Sequence, residues 1–323
     1  MREKIIFWFI VLEVNMKVSD IKAVVGTNSW GSAAYGKILR GESVDESVLK
    51  STFDCAKEKN IAVFDLAQDY GLGKAQKIFG RFGTDGVIVS SKFTPTGRYK
   101  KGQVRKSFEK DLTEFNRDYV DIYWLHFPND IEKNLAEIID LYREKKIRYV
   151  GVSNFTLEEC QLAKSILDDA GIPLYGVQNH YSLLCRDWEK NGLVNWCKEN
   201  KISFWAWAVL EEGMLTNPNA KSKKSLMKII FNRKKKKLHP LYDMMEDIGN
   251  RHNLTIPQVA MSFCSSKGII PVCGCRKPYQ VEQLVTAINT KLDDEEILRL
   301  ENESDRLNVK ILGADIFRFA VRK

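Results

Sequence analysis

From residue 21 onward, short apolar segments alternate with longer stretches whose apolar residues recur at helical spacing. Eight segments read as strands: residues 21–25, 62–67, 87–93, 120–126, 148–154, 175–181, 203–210 and 269–274. Between them lie helical stretches such as 46–59, 103–115, 131–145, 157–169 and 281–288. In the third of these, Leu135, Ile138, Ile139 and Tyr142 follow i, i+3, i+4, i+7, the period of a helix with one buried face. Thr156 followed by Glu159 predicts a capping box, and Pro257 sits where a first helical turn tolerates proline. The strand segments are almost continuously apolar, which implies burial on both faces and a parallel sheet. Eight β/α units with no break in composition predict an α/β fold of one domain, a single closed (β/α)8 TIM barrel over residues 17–323. A doubly wound sheet would carry GxGxxG after its first strand, and Gly26-Thr27-Asn28-Ser29-Trp30-Gly31 lacks that spacing.

The ends and one loop stand outside this alternation. Residues 5–12 form an apolar run after a basic start, but eight residues are too few to span a bilayer, and the following residues offer no small-residue cleavage site. Residues 1–16 are therefore expected to be an appended N-terminal extension. A tail, residues 307–323, is expected to fold over the barrel mouth on Ile311, Leu312, Ile316 and Phe317. The net charge of +8 is local: residues 221–237, inside a loop spanning 217–238, hold nine basic residues and no acidic one, which leaves −1 for the rest. A solvated loop is the expectation, with no nucleic-acid partner and no stable membrane association. Seven scattered cysteines, with no CxxC and no Cys/His ligand set, point to reduced thiols, a cytoplasmic setting and no metal site.

In a barrel of this kind the chemistry sits where strands exit at their C-terminal ends. The second strand leaves through Phe64-Asp65-Leu66-Ala67-Gln68-Asp69-Tyr70-Gly71, the third through Ser91-Lys92-Phe93, and the fourth through Leu125-His126-Phe127. The fifth ends in Ser153-Asn154-Phe155 and the sixth in Gln178-Asn179-His180-Tyr181. A strand-end Lys92 beside Asp65 predicts a buried ion pair, since either charge alone is costly there. Lys92 next to Tyr70 is expected to pull the phenol pKa down from about 10, making Tyr70 a general acid. His126 is expected to donate a hydrogen bond to the same reacting oxygen. His180, one strand position from Asn179, is expected to point into the wall away from it. Trp124 and Trp205 are expected in the core, while Trp30 and Phe127 are candidates for an apolar substrate wall.

Taken in order, FDLAQDYG, SSKF, DLTEFNRDYVDIYWLHFP, KIRYVGVSNF, VQNHY and IIPVCGCRKPYQVEQ resemble the aldo-keto reductase superfamily, and VQNHYSLL with FWAWAVLEEGMLT is most similar to its bacterial members. The resemblance covers residues 26–289 and implies a catalytic tetrad of Asp65, Tyr70, Lys92 and His126. It implies hydride transfer from NADPH to a carbonyl carbon while Tyr70 protonates the oxygen. It further implies that Ser153, Asn154 and Gln178 hold the carboxamide, that Trp207 stacks on the nicotinamide, and that the loop after Leu210 covers the pyrophosphate. Arg276 would contact the adenosine 2′-phosphate, and Gly274, Gln280 and Gln283 would line the same cofactor cleft. Leu66 stands where a Thr is usual, Trp207 replaces the commoner Tyr, and Gln283 with Leu284 replaces the acidic residue and Asn that usually grip adenine.

Two other classes of function are compatible with these residues. A cofactor-holding, redox-sensing subunit of a larger complex has precedent in the potassium-channel β subunits of the same superfamily. A Schiff-base lyase or aldolase would use Lys92 as its nucleophile, and would leave Ser153, Asn154, Gln178 and Arg276 without a role.

Overall fold

The computed structural model describes residues 17–31, 44–218 and 235–311. Eight parallel strands close into a barrel in sequence order: β1 (Val24–Gly26), β2 (Val63–Asp65), β3 (Ile88–Phe93), β4 (Val120–Leu125), β5 (Ile147–Ser153), β6 (Leu174–His180), β7 (Ser203–Trp207) and β8 (Ile270–Gly274). The barrel shuts where Val24, Val25 and Gly26 of β1 pair with Val272, Cys273 and Gly274 of β8. Outside it run α1 (Glu46–Glu58), α2 (Lys74–Arg81), α3 (Gln103–Phe115), α4 (Ile131–Arg143), α5 (Leu157–Asp169), α6 (Asp187–Lys190), α7 (Leu193–Glu199), α8 (His239–His252), α9 (Ile256–Ser266), α10 (Pro278–Ile288) and α11 (Asp294–Leu307). Each expected strand is found, with its ends displaced by at most three residues. The (β/α)8 barrel is therefore the fold of this chain. The N-terminal extension, residues 219–234 of the basic loop and the tail beyond residue 311 lie outside the described residues.

β7 ends three residues early, at Trp207. The chain leaves extended conformation there because Ala208, Glu211 and Glu212 take φ of 59°, 47° and 53°. α2 is short, and the seventh of its eight residues is Gly80. That glycine is a packing requirement: a Cβ there would lie 1.8 Å from the Glu114 carbonyl oxygen on α3. The Thr156–Glu159 capping box starts α5 as expected, and Pro257 stands in the first turn of α9.

Both strand faces are buried, for the reason the apolar runs implied. Val24, Val63, Ile88, Ile122, Trp124, Trp205 and Val272 fill the barrel interior, while Val25, Phe64, Val89 and Tyr123, one position along, pack under the helices. The two-residue repeat of a strand assigns these faces. It also puts Asp65, Lys92, His126, Ser153, Gln178, His180 and Trp207 on the interior side of their strands. Trp124 is the floor beneath them. Its indole lies across Gly151 and Gly176 of the next two strands, where a Cβ would meet ring atoms at 2.3 Å and 3.1 Å.

One carboxyl is buried in the wall beside this floor. Asp111 of α3 accepts from Gln76 Nε2 at 2.8 Å and from Ser91 Oγ at 2.7 Å. Burial outweighs those hydrogen bonds and pushes its pKa up to about 7.

Two outcomes follow from this packing. Gly151→Ala forces the Trp124 ring to move and is expected to lower stability by about 1–3 kcal/mol, read as a fall in Tm. Asp111 holds its proton more tightly folded than unfolded, so its contribution is full below about pH 4 and is lost as pH rises through about 7. Asp111→Asn, whose amide donates to Ser91 and accepts from Gln76, is expected to flatten the decline of Tm between pH 5 and 8, a difference on the order of a few kcal/mol.

Candidate active site

At the C-terminal rim of the barrel, β2 ends in Asp65 and β3 carries Lys92 two places beyond Ser90, its register partner. The Lys92 ammonium bonds the Asp65 carboxylate and also donates to the Leu66 carbonyl at 3.1 Å and to Tyr70 Oη at 3.2 Å. Tyr70 reaches back over the barrel because the chain turns immediately after it. Gly71 takes φ 58°, and a Cβ there would lie 2.8 Å from the Trp30 carbonyl oxygen. Asp65 is fully used: besides Lys92, it accepts from Tyr70 Oη at 3.3 Å, Ser90 Oγ at 3.0 Å and Gln178 Nε2 at 3.0 Å. Ser90 in turn accepts from Trp124 Nε1 at 2.8 Å, which joins the carboxylate to the barrel floor.

The electrostatics correct one expectation. Burial, the Asp65 and Asp69 charges and the hydrogen bond to Asp65 hold the Tyr70 pKa well above the usual phenol value. Lys92 donates to the phenol oxygen, but burial and the two carboxylates outweigh that contact. Burial also lowers the Lys92 pKa, against the pull of Asp65. This centre stores a proton on Tyr70.

His126, just beyond β4, is buried beside Tyr70, with their ring centroids 6.3 Å apart. Burial pulls its pKa down to about 4 despite the nearby Asp69, so the ring is neutral at ordinary pH. Nδ1 lies 2.8 Å from Thr94 Oγ1 and 3.7 Å from Asp69 Oδ1, and Thr94 Oγ1 is 3.1 Å from that same carboxylate oxygen. Phe127, expected as a substrate wall, is buried with its ring packed on the imidazole at 4.6 Å. Trp30 does not face the site. It has no exposed surface, its Nε1 donates to the Cys275 carbonyl at 2.8 Å, and its ring packs on Phe64 and Phe82. The φ 76° turn at Gly31, next to it, folds the indole inward.

The residues expected to hold a carboxamide form a knot of internal bonds. Asn154, at φ 62°, donates from Nδ2 to the His126 carbonyl at 3.0 Å, and its Oδ1 accepts from Trp207 Nε1 at 3.1 Å. Ser153 Oγ donates to the Gln178 carbonyl at 2.8 Å. His180 departs from the expected wall position. It shares a face with Gln178, and its ring stacks on Trp207 at 4.6 Å and 17°. Its Nε2 pairs with the buried Glu211 at 2.9 Å. Burial opposes charge on that ring, yet hydrogen bonds to Cys185 and Glu211 and the Glu211 charge push its pKa up to about 10. Glu211 also accepts from Ser182, so the β7 exit is tied to the β6 exit beneath Trp207. Glu211 and Thr94 carried no signal in the sequence, one because its left-handed backbone is invisible there. Ser90 and Asp69 were findable, at i−2 from Lys92 and i−1 from Tyr70.

The other half of the expected cofactor cleft is the β8 exit. Gly274 is exposed, and Arg276 and Gln283 are half-buried around the start of α10. Gln280 Oε1 accepts from the backbone N–H of Arg276 at 2.7 Å and of Lys277 at 3.1 Å, so it caps α10. Leu284 is buried in the core. Leu210 is half-buried against the core at the β7 exit. Among the described residues no group of His, Cys, Asp and Glu is placed to hold a metal ion, and no helix is long and apolar enough to cross a membrane.

The Aldo/keto reductase family model matches residues 22–304. A chloroplastic pyridoxal reductase of Arabidopsis thaliana is 29% identical over 300 residues, covering 85% of this chain and 81% of its own. Among solved structures, an aldo-keto reductase of Klebsiella pneumoniae in complex with NADPH is similar at TM-score 0.69 and 22% identity, over 87% of this chain and 90% of that one. A glycerol dehydrogenase of Gluconobacter oxydans is similar at TM-score 0.74 and 22% identity, over 90% and 93%. With its matched barrel running through every strand exit described above, the chain belongs to the Aldo/keto reductase family.

Proposed function

We propose that this chain reduces the carbonyl of a small-molecule aldehyde or ketone to an alcohol with hydride from NADPH, and that Tyr70 is the proton donor. The observation that carries this reading is the Tyr70 hydroxyl held 3.2 Å from the buried Lys92 ammonium at the barrel mouth. The cofactor assignment draws support from the β8 exit. A Cβ on Gly274 would meet only Ser29 Oγ, at 3.9 Å, so this backbone is open to a ligand. Arg276 and Lys277 stand at the N-terminus of α10, where peptide dipoles favour an anion and guanidinium suits phosphate. These residues fit a phosphorylated nucleotide, with Gln283 and Leu210 flanking it. The half-buried Trp207, backed by His180, would meet the nicotinamide, and Ser153, Asn154 and Gln178 would exchange internal bonds for its carboxamide.

When bound, NADPH supplies the hydride to the carbonyl carbon. As negative charge grows on the carbonyl oxygen, Tyr70 transfers its proton there, and the tyrosinate left behind faces the Lys92 ammonium until water returns a proton. Asp65 keeps Lys92 in place. A Schiff-base reading fails on access: Lys92 has no exposed surface, and its Nζ donates to Asp65, Leu66 and Tyr70.

Tyr70→Phe is expected to lower kcat for aldehyde reduction at least 1000-fold while NADPH affinity stays within about twofold. Full turnover by that variant would remove Tyr70 from the mechanism. Because Tyr70 stays protonated beyond the usual phenol range and His126 stays neutral down to about pH 4, kcat/KM for reduction is expected to be flat from about pH 5 to 9. Arg276→Ala is expected to weaken NADPH binding about tenfold or more and leave NADH binding nearly unchanged, measured by fluorescence titration. Equal losses for both nucleotides would place the 2′-phosphate elsewhere.

A further inference from the structure

The β6 exit brings together a thiol, an imidazole and a carboxylate in an arrangement that the proposed reduction does not require. Six of the seven cysteines are buried, and the half-buried Cys185 is the exception. Its sulfur lies 3.7 Å from His180 Nδ1, while Nε2 of the same ring is 2.9 Å from the buried Glu211 Oε1. Ser182 settles where the hydrogens go. Its Oγ accepts from the backbone N–H of Leu184 and of Cys185, both at 3.1 Å, so its one hydrogen is given to Glu211 Oε1. A carboxylate oxygen only accepts, and the hydrogen between it and His180 therefore belongs to Nε2. One more hydrogen is shared between Nδ1 and the Cys185 sulfur. The Glu211 charge behind the ring favours it on nitrogen, in line with an imidazole pKa pushed up to about 10 against its burial. Arg186, next in the chain, pairs instead with Asp305 at 2.8 Å and donates to the carbonyls of Leu183 and Glu301. Burial pushes the thiols of Cys197 and Cys275 the other way, up to about 12.

We propose that Cys185 is an oxidisable thiol, held ready by His180 and Glu211, and that its oxidation by a hydroperoxide loosens the Trp207 face of the cofactor site. The thiol proton resides on His180 Nδ1, beside the sulfur that attacks. An S–O bond forms as the O–O bond of the peroxide breaks, and the departing hydroxide takes the Nδ1 proton and leaves as water. Sulfur gives up two electrons, the peroxide takes them, and Cys185 becomes a sulfenic acid. Glu211 is a positioning residue, acting through His180. The imidazole loses its charge in this step, although it is stacked on Trp207 at 4.6 Å and paired with a buried carboxylate. Breaking that pair, and adding an oxygen to a sulfur 3.7 Å from the ring, displaces the imidazole and with it the indole. The thiol chemistry stands on the cluster alone, whereas the effect on the cofactor rests on the NADPH reading.

The test is hydrogen peroxide treatment of the folded full chain, with sulfenic acid trapped by excess dimedone and located by mass spectrometry. Trypsin releases residues 165–186 with Cys185 as their one cysteine. Trapping at Cys185 is expected to be about tenfold or more faster than at the other cysteines, and nearly constant from about pH 6 to 8. In Glu211→Gln and His180→Gln the rate is expected to rise about tenfold per pH unit over that range, as for an ordinary thiol with a pKa of about 8.5. Such a rise in the wild type, or a rate at Cys185 no greater than elsewhere, would overturn the activation; should a variant fail to fold, the wild-type profile decides alone. NADPH affinity of the oxidised wild type, by fluorescence titration, is expected to fall about tenfold and to return with dithiothreitol, while Cys185→Ser keeps its affinity through the same treatment. Unchanged affinity in the oxidised wild type overturns the effect on the cofactor site. A chain that reacts as expected at Cys185 yet binds no NADPH in either state sinks the cofactor reading, and with it the Trp207 effect, while the reactive thiol stands.

Discussion

The site is organised around a single buried ion pair, Lys92 with Asp65, set in the mouth of the barrel with essentially no exposure of either side chain. An ion pair in such a place gains little by itself over an apolar pair of the same volume, because both charges give up their hydration. What makes it tolerable here is that neither partner has an unmet bond. Asp65 accepts from Lys92, Tyr70, Ser90 and Gln178, and the ammonium donates three ways. Removing one partner would leave the other charged and buried. The network therefore couples the Tyr70 phenol to β2, β3 and β6 at once, and geometry at the rim becomes a property of barrel closure.

That closure depends on shape as much as on charge. The barrel interior holds two indoles, Trp124 and Trp205, with centroids 4.9 Å apart, and the space for one of them is cut by glycines on the neighbouring strands. Because Trp124 also donates to Ser90, the ring that fills the interior is the same one that orients an oxygen bonded to Asp65. Packing and electrostatics are joined through one side chain, so a change in the floor is transmitted to the site.

Much of this was legible in the residue pattern, and the misses have identifiable causes. The continuous apolar strands announced burial on both faces, and the count of eight gave the barrel. Asp65, Tyr70, Lys92 and His126 were singled out because each sits at a strand exit and carries chemistry uncommon in a core, and the structure brings the four together at one rim. Trp30 was misplaced because a pattern cannot show that a left-handed glycine folds an exit-loop indole inward. His180 was misread by counting parity from Asn179, when Gln178, two positions back, was the residue whose face it shares. The direction of the Tyr70 shift was missed because the Lys92 charge was counted without the burial of the phenol and without the carboxylates of Asp65 and Asp69.

Seen together, the rim separates its protons by burial. Tyr70 keeps its proton beyond the ordinary range, His126 gives up its extra proton well below it, and the charge of Lys92 is matched by Asp65. A further charge beside His126 is that of Asp69, whose partly exposed carboxylate is in contact with solvent as well as with Thr94. A neutral centre suits a neutral carbonyl, since no ground-state charge must be compensated before the oxygen becomes anionic. In the proposed reduction, stabilisation would be greatest when that charge appears, close to the phenol proton and to the ammonium behind it, which is where binding lowers a barrier rather than merely holding a substrate. A negatively charged Asp69 at the same rim acts in the opposite sense on anionic substrates, repelling a carboxylate or phosphate brought near His126. Asp69 therefore disfavours an anionic group placed beside the imidazole.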